Sequence, residues 1–66
     1  MVSDEAKLRV LQIANLSNEA GQFSSPITYM GFIMTLLHNV NIGEIDLVEL
    51  DEMWKKAQTM FNEVAE

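Results

Sequence analysis

Sixty-six residues make at most one domain, and a chain this short buries only about 60% of the surface its unfolded form exposes, so its core is thin. Ten acidic against four basic residues leave a formal net charge of -6, a field that repels phosphate backbones and argues against direct DNA or RNA binding. There is no cysteine and one histidine, His38, which excludes disulfides, thiolate zinc sites and nitrogen-rich metal sites.

Chains below roughly 70 to 80 residues usually need a staple, and with disulfides and metals gone the remaining ones are efficient packing and oligomerisation. A hydrophobic content of 48% exceeds what so small a monomer easily hides, which points to burial against a partner. The opening Met-Val-Ser-Asp-Glu has neither the basic region nor the apolar core of a secretory signal, so the expected location is the cytoplasm. The most apolar run, 30–37, contains Gly31 and Thr35 and falls well short of the ~20 residues that cross a bilayer, so no membrane span is expected.

Gly21, Pro26 and Gly43 divide the chain into three helical stretches. The first is predicted over 4–19, capped by Ser3, with Asp4 and Glu5 in the first turn where the helix dipole favours negative charge. At ~100° per residue, Ala6, Val10, Ile13, Ala14, Ser17 and Ala20 share one face, whereas Leu8 and Leu11 point away from it. Asn18 or Gly21 supplies the stop.

The second helix is predicted over 26–40, with a serine cap in Ser24-Ser25 and proline at the first helical position. Its apolar residues, from Tyr29 and Met30 through Phe32, Ile33 and Met34 to Leu36, Leu37 and Val40, cover more than half the circumference. A helix of that kind is expected to sit between neighbours. Asn41 or Gly43 then turns the chain.

The third helix is predicted over 47–64. Asp46 is its cap, Glu49 stands three residues on as in a capping box, and Ile45 and Leu50 occupy the hydrophobic-staple positions. Leu47, Leu50, Trp54, Ala57, Phe61 and Val64 alternate spacings of three and four, with Met53 and Met60 widening the stripe. The expectation is a helix that faces more than one neighbour, buries Trp54 and closes a bundle. The fold class is thus all-α: a three-helix module in a single domain, 1–66, that completes its core by dimerisation into a helical bundle.

With one histidine and no cysteine, the chain offers no nucleophile and base pair, and neither enzymatic activity nor a cofactor is expected. His38, near the C-terminal end of the second helix, reads as structural or solvated. The acids between 44 and 52 lack the spacing of a calcium loop and read as a solvated face. Within that face, Glu44, Glu49, Asp51 and Glu52 are the candidate docking surface for a basic partner. Acyl carriers are also small and acidic, but no serine lies beside Asp46 to accept a prosthetic arm, so that resemblance fails. Phe32, Trp54 and Phe61 read as core, since so short a chain has little room for a ligand cavity unless two copies build it.

These features point to a helical protein–protein interaction module, an adaptor, regulator or inhibitor acting through an apolar helix face. Leu8, Leu11, Met30, Met34 and Leu37 are the candidate interface, with a second copy the expected partner and a larger protein the other. The alternative is an acidic decoy for the basic groove of a DNA- or RNA-binding protein. Ten acids are sparse for that role, because duplex DNA carries about one charge per 1.7 Å.

Overall fold

The computed structural model describes residues 2–65 and contains three helices: α1 (Asp4–Glu19), α2 (Pro26–Asn41) and α3 (Leu47–Ala65). Side-chain caps fix each start. The Ser3 hydroxyl accepts from Ala6 N–H at 3.1 Å, and Asp46 Oδ1 accepts from Glu49 N–H at 2.9 Å. At α2 the Ser25 hydroxyl accepts from Thr28 N–H while Thr28 Oγ1 accepts from Ser25 N–H, a reciprocal box ahead of which Pro26 loses no bond.

The ends of α1 and α2 are built alike. Gln22 N–H donates to Ser17 O and Gly21 N–H to Asn18 O; Glu44 N–H donates to Asn39 O and Gly43 N–H to Val40 O. This is the Schellman pairing, and it places Gly21 at φ +79 and Gly43 at φ +82, in the left-handed region that favours glycine. Of the alternatives offered by the sequence, glycine takes the turn both times, and Asn18 and Asn41 remain helical.

The six positions expected on the inner face of α1, Ala6, Val10, Ile13, Ala14, Ser17 and Ala20, are all buried. Ala6, Val10, Ile13 and Ala14 join Ile33 and Leu36 of α2 and Leu50 of α3 in one core, against which Ile45, Met53, Trp54 and Tyr29 pack from its edges. Arg9 reaches Asp51 near the start of α3, and Ser17 shares a cleft with Met60 farther along both helices, so α1 and α3 run in the same sense.

The order of packing differs from that expected. Both α2 and α3 pack on α1, and no Cα of α2 comes within 8 Å of one in α3. The helix with close neighbours on two sides is therefore α1, and α3 meets α2 through the side chains of the shared core, with their backbones held farther apart. The small side chains of α1 explain this, because Ala6, Ala14 and Ser17 let two backbones approach one face. The stripe of α3 is correspondingly narrower than predicted: Leu50 and Ala57 are buried, Trp54 and Phe61 half-buried, and Leu47 and Val64 exposed. The surface is 4606 Å², roughly 8% above the ~4250 Å² typical of a 7.5 kDa monomer, in keeping with this open arrangement.

Three of these positions carry stability tests. Leu50, 0% exposed, should cost about 2–5 kcal/mol on change to Ala, and Trp54→Ala should cost less than Leu50→Ala in denaturant titration. Asp46→Ala should destabilise by about 0.5–2 kcal/mol through the lost cap. Gly43→Ala should cost about 1–2 kcal/mol from its backbone angle alone, since nothing lies within 4 Å of where the methyl would sit. A neutral Gly43→Ala would contradict the C-cap geometry.

Candidate functional site: an apolar seam and an open cleft

Two uncovered surfaces flank the core. The first lies on α1 and the outer side of α2. Helix α2 carries two heptad-like rows: Tyr29, Ile33, Leu36 and Val40 face the core, while Ile27, Met30, Met34 and Leu37 repeat at spacings of three and four on the outward flank. Ile27 is 83% and Met34 66% exposed; Met30 is about half exposed, and Leu37 packs in part against the core. Leu8 and Leu11 of α1 are 58% and 48% exposed. By helical periodicity Leu11 lies on the flank of α1 opposite Arg9, hence away from α3, and Leu8 lies opposite the buried face.

Four of the five candidate interface residues are therefore exposed, and Leu37 divides itself between surface and core. Ile27, the most exposed of the row, was hidden from sequence reading by its place beside the proline start. Helix α2 contains no Asp, Glu, Lys or Arg. Gly31, in mid-helix and exposed, has nothing within 4 Å of where a Cβ would sit, so no intrachain contact requires it.

The second surface is a cleft of about 390 Å³ between α2 and α3. Ile13 and Ser17 of α1 form its floor, Phe23 and Phe32 one wall, and Met53 and Met60 the other, with Lys56 at the rim. Phe23, in the turn after α1, lies tilted against Phe32 with ring centres 5.2 Å apart and meets Tyr29 edge-on at 5.6 Å. Room for a ligand-sized hollow thus exists within one chain, contrary to expectation, because α2 and α3 stand apart. The chain matches no known protein family, no curated protein and no solved structure.

The acidic residues do not converge on a site. Glu44, Glu49 and Glu52 are exposed around the start of α3, and no group of three or more potential metal ligands occurs among the described residues. Asp51 is drawn from that surface by Arg9, whose Nε lies 3.3 Å from Oδ1. The same guanidinium sits 5.4 Å from the centre of the Trp54 ring and bonds Gln12 at 3.2 Å. Arg9 thus straps α1 to α3, a role that no sequence motif marks.

The strap rests more on the ring than on the ion pair. Both partners of the pair keep solvent access, so Asp51→Asn should cost less than about 1 kcal/mol and leave Trp54 emission unchanged. Arg9→Ala should uncover the indole, shift its emission to the red and cost about 0.5–2 kcal/mol. Identical spectra and stability for Arg9→Ala and wild type would rule the strap out.

Proposed function

We propose that the chain is a helical protein-interaction module that pairs with a second copy through the outer row of α2, with Leu8 and Leu11 of α1 contributing to the same interface. The observation that carries this reading is the second heptad-like row on α2, Ile27, Met30, Met34 and Leu37, on the flank away from the core. Such a row fits a partner helix with the same spacing, and a two-fold axis supplies one without any further chain.

Charge favours the same surface. At a net charge of -6, two copies repel, and α2 is the element through which they meet without bringing carboxylates together. Interface centres are depleted in charged residues for this reason. Gly31 fits as well: glycine in mid-helix costs about 0.5–1 kcal/mol relative to alanine, and close approach of another backbone is a use for it that the isolated fold lacks.

Burying the exposed half of each large apolar side chain gains roughly 1 kcal/mol. The five exposed ones on each copy, Leu8, Leu11, Ile27, Met30 and Met34, recover on the order of 10 kcal/mol in a two-fold pair. Against about 4–15 kcal/mol for association, the net gain is at most about 6 kcal/mol, a dimer no tighter than roughly tens of micromolar. The scattered carboxylates around α3 offer no comparable support for an acidic decoy.

Sedimentation from about 10 μM to about 1 mM should show a monomer–dimer equilibrium with a melting temperature that rises with concentration. Met34→Glu, at an exposed position, should give a folded monomer. Gly31→Ala should raise the stability of that monomer by about 0.5–1 kcal/mol while weakening pairing of the otherwise wild-type chain. A folded wild-type monomer whose melting is independent of concentration would reject self-association.

A further inference from the structure

We propose that the cleft between α2 and α3 binds a medium-chain monocarboxylate, its tail against the aromatic and thioether walls and its carboxylate shared by Ser17 and Lys56. The site lies across the molecule from the pairing row of α2 and does not depend on it.

The size and lining suit an apolar tail. A volume of about 390 Å³ falls at the lower end of the ~300–1,000 Å³ of small-molecule sites. Phe32 gives a firm wall, and Met53 and Met60 have unbranched, polarizable side chains that adapt to a flexible chain.

The polar groups specify the head. Ser17 is 5% exposed on the cleft floor, yet its hydroxyl takes part in none of the side-chain hydrogen bonds among the described residues. No fully occluded polar side-chain atom there lacks a partner, so this hydroxyl keeps its access through the cleft. A hydroxyl on an apolar floor gains by meeting a partner there. Lys56 makes no ion pair among the described residues, although acids outnumber bases ten to four in the chain. Its ammonium has three donors and no acceptor, and the serine hydroxyl adds another donor. A carboxylate is acceptor-only and bears the charge complementary to lysine, which makes it the head group that satisfies both.

The test is a methyl-resolved NMR titration with octanoate, run on the wild-type chain and on Met34→Glu, and repeated with 1-octanol. Octanoate should give saturable shifts at Ile13, Ala57, Met53 and Met60 in both proteins, whatever their oligomeric state. Lys56→Gln should raise the half-saturating octanoate concentration about two- to fivefold and leave octanol unaffected. Ser17→Ala should weaken octanoate by about two- to tenfold. Absence of saturable shifts at these methyls, equal affinity for octanol and octanoate, or insensitivity to Lys56→Gln would each overturn the proposal.

Discussion

The inner face of α1 is the constraint on which the structure depends. Ala6, Val10, Ile13, Ala14 and Ser17 are mostly small, and their burial requires cover from two directions at once. Helices α2 and α3 both supply it, and having leaned on the same face they do not close on each other. The cleft between them and the bare outer row of α2 are two results of one packing decision. A central helix with larger inner residues would hold its neighbours farther out and reshape both surfaces.

Charge is segregated in register with this arrangement. Among the described residues the carboxylates lie on α1, on α3 and in the connection before α3, and α2 has none. The helix with the widest apolar circumference is also the one without Asp, Glu, Lys or Arg. Arg9 adds the polar link between the other two helices, clamping Asp51 and lying over Trp54 while its stem covers apolar surface. The half-buried tryptophan thus marks the rim of the core, and Leu50 and Ala57 hold the contact with α1 that its heptad position promised.

Local signals were legible in the sequence, and the arrangement was legible only in part. Ser3, Ser25, Asp46, Gly21 and Gly43 act within one turn of the residues they terminate, so their chemistry can be read without tertiary context. The inner face of α1 was equally plain from its period. Which helix stands in the middle was not, because periodicity reports how much of a helix is apolar and not what covers it. The wide apolar arc of α2 therefore suggested two neighbours where the fold supplies one. Phe23 and Arg9 act through contacts distant in sequence: Phe23 sits in a turn, outside any helical period, and Arg9 flanks the inner face as an ordinary solvated base would. The cleft was illegible for the same reason, since its walls come from three helices and a turn.

Methyl NOE spectroscopy reads out the partition of α1 between an inner face serving both neighbours and a bare face bearing Leu8 and Leu11. Cross-peaks should run from the methyls of Val10, Ile13 and Ala14 to both α2 and α3, notably to Ile33, Leu36 and Leu50, with none from Leu8 or Leu11 to α3. Strong cross-peaks from Leu8 and Leu11 to Leu50 and Ala57, with Val10 and Ala14 lacking them, would place the opposite face of α1 inside and contradict the account.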